Sequence, residues 1–255
     1  MTTTFAFLGQ FGDAIEFIFQ ERESVGGGVM VGGLSEIGGF AKTHLLVSFV
    51  AMAVACLIAI PTGLYLGHKG KGEFLAISVS NVGRAVPAVV LLFFFIAYVG
   101  NGFSNVAFVL FLLAVPPILT NTYVGVRQVS PELVDAARGM GMTGPQIVRK
   151  IRLPLALPTI FAGIRTSVVS VLATATIGTY ANLQTLGEPI LIPQQYGFSG
   201  QLGAAMVVAL MTLAADAGIG LAQQAVTPKG IKLAEEPRAV RRRLALPTRR
   251  REAST

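Results

Sequence analysis

Residues Ser130–Pro158, SPELVDAARGMGMTGPQIVRKIRLPLALP, form the longest polar interruption between two strongly apolar regions of the chain. The stretch reads as two short helices joined by a turn. Ser130 is a good N-cap, Pro131 suits the first helical position, and Glu132 favours the positive end of the helix dipole. Leu133, Ala136, Ala137 and Met140 share one face, and Gly141 is placed to stop the helix in a left-handed cap. Thr143 with Gln146 makes a capping box for a second helix, which Pro154 is expected to end near Leu153. The small residues Ala136 and Ala137 offer a face that another protein's surface can approach closely. The hairpin reads as a docking element.

Outward from it the chain is apolar. It is 53% hydrophobic and 13% charged, with mean hydropathy +0.66, about half the charge of an ordinary soluble domain. Several runs approach twenty residues, so the expected fold class is all-α: a polytopic membrane helical bundle. The start, MTTTFAFLGQFGDAIEFIF, has no basic segment, and Asp13 and Glu16 interrupt it, which makes it a poor signal peptide. A single cysteine, Cys56, excludes an internal disulfide. The net charge of +7 resides mostly in the tail: residues 228–255 hold nine Lys/Arg and three Glu, or +6. The basic balance therefore describes one segment and does not point to nucleic acid.

Five spans are expected, at about 44–67, 76–99, 103–125, 157–180 and 201–224. Residues 1–42 are expected to form an extracytoplasmic or interfacial segment, with a helix over 5–20 and a flexible glycine-rich stretch over 26–39. Residues 43–225 make the transmembrane domain, with the hairpin at 128–156, and 226–255 a basic, disordered cytoplasmic tail. Lys/Arg placement sets the orientation. With the N-terminus outside, the inner loops hold Lys69, Lys71, Arg127, Arg138, Arg149, Lys150, Arg152 and the tail, whereas the outer segments hold only Arg22 and Lys42. That puts the hairpin and the C-terminus in the cytoplasm.

The spacing Asp135-Ala136-Ala137, Gly141, Ile151, Leu153-Pro154 resembles the EAA loop of binding-protein-dependent ABC importer permeases, with Asp in place of the family's Glu. The flanks PPILTNTY (116–123), AARGMGM (136–142) and LPLALP (153–158) resemble the osmoprotectant branch, which imports glycine betaine, choline, carnitine or proline. The resemblance covers about residues 44–222. It implies a type I ABC importer permease fold in the plasma membrane, working by alternating access. It also implies an ABC ATPase subunit in two copies, an extracytoplasmic solute-binding protein, and a second permease copy or paralogue. Leu133, Asp135, Ala136, Ala137, Gly141, Ile151, Leu153 and Pro154 would then couple ATPase to membrane.

Two charges fall inside spans, Arg165 and Asp216, each about 12 Å from the inner boundary at about 1.5 Å per residue. A charge at that depth needs a partner, and the two are expected to pair. Asn81, Asn121, Thr174 and Thr176 are candidates for a polar translocation path, although interhelical hydrogen bonding is the commoner use of such residues. Pro87, Pro116 and Pro117 are expected to kink their helices. There is no Gly-x-x-x-x-Gly-Lys-Ser/Thr phosphate loop, no Cys/His set with metal-ligand spacing, and no Trp. No enzymatic activity, cofactor or metal is expected, and ATP hydrolysis falls to another subunit. The five Tyr are scattered, which assigns recognition of a quaternary ammonium solute to a partner. Alternatives are the same machinery for another small solute, such as an amino acid, and a stand-alone channel.

Overall fold

The computed structural model describes residues 2–70, 78 and 86–227. In chain order it contains α1 (Thr2–Phe19), β1 (Glu21–Glu23), β2 (Met30–Gly32), α2 (Gly33–Lys69), α3 (Ala88–Val99) and α4 (Phe103–Arg127). Then come α5 (Pro131–Gly139), α6 (Gly144–Ile147), a π turn (Val148–Arg152), α7 (Leu153–Thr174), a 3-10 turn (Ala175–Ala181), α8 (Gly187–Leu191) and α9 (Pro193–Val226). Among the described residues, four continuous helical stretches are long and apolar enough to cross a membrane: 33–69, 103–127, 144–181 and 193–226. The twelve-residue α3 is the described part of the expected second span. Pro87 stands at its N-cap, where no intrahelical hydrogen bond is lost.

The centre of the bundle is α2 against α4 against α7. Val47, Ala51, Ala55, Val109, Leu110, Ala114, Ile118 and Val171 form its buried apolar core. Small residues set how near the backbones come. A methyl added at Gly63 would lie 2.7 Å from the Thr122 side chain, and one at Gly163 would lie 2.8 Å from the Pro117 carbonyl. Apolar tails of lipid give no drive to bury Leu against Leu, so such close approach is what a membrane bundle relies on. Helix α4 continues through Pro116 and Pro117 without interruption. Around them the Asn121 amide donates to the Pro117 carbonyl (2.8 Å) and the Ser167 hydroxyl to that of Ala114 (2.9 Å).

Two element boundaries differ from those expected. The helix that carries the expected first span is longer than that span: it begins at Gly33, so the division at 42/43 falls inside α2. The expected flexible glycine stretch is ordered: residues 26–28 lie in the loop of the antiparallel β1–β2 hairpin, and Gly33 opens α2. Sequence composition counted the glycines but not their contacts. A methyl at Gly32 (φ +87°) would sit 2.8 Å from Phe17, so the position needs glycine for both space and backbone conformation. Second, the helix after Thr143 does not end near Leu153. Its last turn widens into the π turn 148–152, and α7 follows with Pro154 in its first turn. A proline inside a continuous helix removes one backbone hydrogen bond, and here it closely follows a single π turn, the form in which π-helices mostly occur.

At the opposite end of the bundle, α1 and the β1–β2 hairpin strap the start of α9. Phe17, Val31, Ile37, Phe40, Leu186 and Tyr196 form a second buried cluster. Tyr196 is held edge-on by Phe17 and Phe40, and its hydroxyl donates to Glu36 (3.3 Å). Arg22 lies over the Phe17 ring and donates to the Tyr196 carbonyl at 2.6 Å. Burial, and then the neighbouring Glu36 carboxylate, pushes the Glu188 carboxyl up from its ordinary value.

Candidate functional site

The hairpin begins as its residues dictate. The Ser130 hydroxyl accepts from the Leu133 N–H and donates to Glu132, which holds the Glu132 carboxyl below the usual carboxylate range. At the other end Gly141 adopts φ +81°; its N–H reaches the Arg138 carbonyl (2.9 Å) and the Met142 N–H reaches that of Ala137 (3.1 Å). These two bonds are the Schellman pattern. Across the turn, the Gln146 side chain accepts from the Thr143 N–H at 2.8 Å.

The two arms close on their own small core of Val129, Val134, Ala137 and Ile147, with Met142 and Ile151 against it. Ala137 is therefore internal, and the face open to solvent is Leu133, Ala136 and Met140, with Asp135 beside it. Asp135 pairs with Arg138 at 3.2 Å, both well exposed, so the pair adds little to stability. Methyl groups added at Gly139 or Gly141 would touch nothing. Of the eight residues expected to couple, Leu133, Asp135, Ala136 and Gly141 lie on the open side. Ala137 is fully buried, while Ile151, Leu153 and Pro154 are partly buried in the stem.

The stem is fastened to the bundle. Arg152, buried in the π turn, donates to the Gly67 carbonyl at the end of α2 (3.1 Å). Gly67 in turn packs so closely on Val126 of α4 that a methyl there would fall 2.8 Å from it. Leu153 joins a cluster with Val126, Ala156 and Ile160. Displacement of the hairpin would thus load the ends of α2, α4 and α7 together. Lys69, Arg127, Arg138 and Arg152 belong to this same end of the bundle, while Arg22, Glu36 and Glu188 gather at the other. Sequence reasoning missed Arg152 as a tie, because its acceptor is a backbone carbonyl 85 residues away.

Within the membrane region, Arg165 of α7 and Asp216 of α9 meet in a bidentate contact, Nε–Oδ1 2.7 Å and Nη2–Oδ2 2.6 Å. Two parallel charge-assisted bonds fix both the distance and the relative rotation of the helices. The described candidate path residues, Asn121, Thr174 and Thr176, are not gathered in one place. Asn81 lies outside the described residues; Asn121 sits at the α4–α7 contact, bonded to its own helix. Thr174 is partly buried, and Thr176 is bonded to the Ala173 carbonyl (2.9 Å) beyond the end of α7. A tie that sequence did not reveal is His44, wholly buried, with Nε2 2.8 Å from the Leu172 carbonyl. A cleft of about 450 Å³ beside Pro116, Leu112 and Leu91 is almost entirely apolar and carries little to orient a polar solute.

Comparison with known proteins agrees with this architecture. Residues 59–229 match the family model described as binding-protein-dependent transport system inner membrane component. The chain is 34% identical over 190 residues to the glycine betaine/carnitine/choline transport system permease protein OpuCB of Bacillus subtilis (strain 168), covering 74% of this chain and 88% of that protein. It is 36% identical to the carnitine transport permease protein OpuCB of Listeria monocytogenes, over 76% and 89% of the two chains. With the osmoprotectant import permease protein OsmY of Salmonella typhimurium the identity is 32%, over 69% and 75%. Among solved structures, an inward-facing MetNI methionine ABC transporter superposes with TM-score 0.66 at 22% identity, over 76% of this chain and 98% of that one. That likeness establishes the fold, an ABC importer permease bundle. A helical bundle with four membrane-length apolar stretches, matched by a family model over most of its length, is a multi-pass membrane protein, and the chain belongs to the binding-protein-dependent transport system inner membrane components as a transport permease.

Proposed function

We propose that this chain is the membrane subunit of an ATP-driven importer of osmoprotectants, taking up glycine betaine, choline, carnitine or proline by alternating access. The reading for glycine betaine, choline and carnitine rests on the names of relatives at 34–36% identity, and proline enters only through the resemblance of the flanking motifs to the osmoprotectant branch. The observation that carries the mechanism is the hairpin: an open face of Leu133, Ala136 and Met140 on a stem tied into three helices. An ATPase subunit gripping that face would pull on α2, α4 and α7 at once. Two ATPase copies, an extracytoplasmic binding protein and a second permease copy or paralogue complete the machine. Hydrolysis belongs to the ATPase, and this chain has no catalytic role.

The topology has the N-terminus outside and the hairpin and basic tail in the cytoplasm, supported by the Lys/Arg bias. The experiment is uptake of labelled glycine betaine, choline, carnitine and proline into vesicles holding the chain with its ATPase and binding protein. ATP-dependent uptake of at least one of these is expected. Uptake without ATP would indicate a channel, and uptake of none of the four would remove the solute assignment. A sharper arm is Gly139→Leu. A Cβ at this position has nothing within 4 Å in this chain, so transport should fall while the protein remains folded. Unchanged transport would contradict docking on this face.

A further inference from the structure

The end of α2 collects positive charge from four parts of the chain. Arg152 of the π turn donates to the Gly67 carbonyl at 3.1 Å. His68 lies against the start of α6, where a Cβ on Gly144 would fall 3.2 Å from its Nε2. Lys69 is the last residue of α2, and Arg127, the last of α4, places Nη1 3.3 Å from where a Cβ on Gly70 would stand. Each position from 67 to 70 thus meets or carries a basic side chain. Arg138 of α5 is the further cation within electrostatic reach of both Arg152 and His68.

Counter-charge is scarce there. Among the described residues Asp135 takes Arg138, and no carboxylate is bonded to Lys69, Arg127 or Arg152. Residues 71–77 bring Lys71 and Glu73, which cancel. Helix C-termini favour cations, but the ends of α2 and α4 offset roughly one charge between them, leaving about two of these three cations uncompensated. Arg152 is only 9% exposed, and its Nε has no hydrogen-bond partner among the described residues. A guanidinium buried to that degree is ordinarily paired. Helix ends alone do not account for the cluster.

Its place selects the anion. The apolar stretches 33–69 and 103–127 both stop at these cations, so the cluster stands where hydrocarbon gives way to headgroups. Tyr65, one turn back on α2, is exposed and has the Lys69 ammonium over its ring at 6.0 Å; an amphipathic ring suits that level. Lys69 and Arg127 are open, with Arg152 closed behind them. The face of the hairpin left open for an ATPase belongs to its first arm, whereas these cations gather at the stem. Basic pockets between spans at the cytoplasmic side suit acidic lipid headgroups.

We propose that Lys69 and Arg127, backed by the charge of Arg152, hold the phosphate of an anionic lipid headgroup at the hairpin end of the bundle. The bound lipid joins the ends of α2 and α4 to the stem of the hairpin. Its assignment to the inner leaflet rests on the topology proposed above.

The test is thermal unfolding of the assembled complex in detergent, titrated with short-chain phosphatidylglycerol, short-chain phosphatidylcholine or inorganic phosphate. Phosphatidylglycerol should raise the melting temperature in a saturable way, and the other two should not. Lys69→Gln with Arg127→Gln should weaken that response about thirtyfold, since each basic residue near an anionic surface is worth roughly fivefold in affinity. Both side chains are exposed, so the variant should fold, and Lys69→Arg should keep the full response. Lys42→Gln, which removes an exposed cation from the other end of α2, should leave it unchanged. An equal response to phosphatidylcholine, or an equal loss at Lys42, would overturn the site, and equal stabilisation by inorganic phosphate would overturn the lipid. Failure of the double variant to assemble with the ATPase would also overturn the proposal, assigning the cations to an acidic surface of that subunit. Binding in detergent does not depend on topology: labelling of the hairpin from the outer side would overturn the leaflet and leave the site standing.

Discussion

The two ends of the bundle are stabilised in opposite ways. The hairpin at 128–156 is built from contacts within thirty residues: an N-cap, a left-handed glycine, a capping side chain and a four-residue core. The strap at the other end includes the local β1–β2 hairpin, but its buried cluster joins residues 17–40 to residues 186–203. Locally stabilised structure can be moved as a unit against its surroundings, which suits a lever. Structure held by distant parts cannot move without separating them, which suits an anchor. Substitutions should accordingly cost much stability at the strap and little at the hairpin.

The largest effect is expected for Gly187→Val at the anchored end. A methyl at Gly187 would lie 1.8 Å from the Thr176 carbonyl oxygen, so the 3-10 turn and α8 could not both stay in place. Overpacking of this degree exceeds the usual ~1–3 kcal/mol, and size-exclusion of the detergent-solubilised protein should show no folded peak. Next, Phe17→Ala empties a fully buried position against Tyr196 and Arg22. The cost should be about 3–5 kcal/mol, read as a large fall in the melting temperature of the complex. If α1 is merely an accessory segment, that fall will be absent.

At the hairpin the numbers shrink. Gly141→Ala meets no atom but must keep φ +81°, at a cost of about 1–2 kcal/mol, and Gly141→Asn should recover part of it. Ser130→Ala removes one cap and should cost about 1 kcal/mol. Both are measurable by thermal unfolding of the purified complex. Should either prove as damaging as Phe17→Ala, the distinction between lever and anchor fails.

The same division explains what could be read before any coordinates. The N-cap at Ser130, the left-handed Gly141 and the Thr143–Gln146 pairing are rules about neighbours in sequence, and each has its expected residue type. The pairing of Arg165 with Asp216 followed from a different constraint, that two charges at equal depth in hydrocarbon have few partners to choose from. What was not legible depends on distant chain. Gly32 and Gly33 looked like linker because nothing nearby shows that Phe17 and Glu21 press against them. Pro154 looked like a helix end because a π turn leaves no mark in composition. Ala137 looked outward because a helical face alone does not tell which side Ile147 will cover.

The central claim, that the Leu133–Ala136–Met140 face is a cytoplasmic contact for the ATPase, is tested most directly by cross-linking. With Cys56→Ser removing the native thiol, Leu133→Cys in the assembled transporter should form a cross-link to the ATPase subunit, and impermeant thiol reagents should reach it only from the cytoplasmic side. Labelling from the outer side, or an assembled complex in which position 133 never links to the ATPase, would contradict the account.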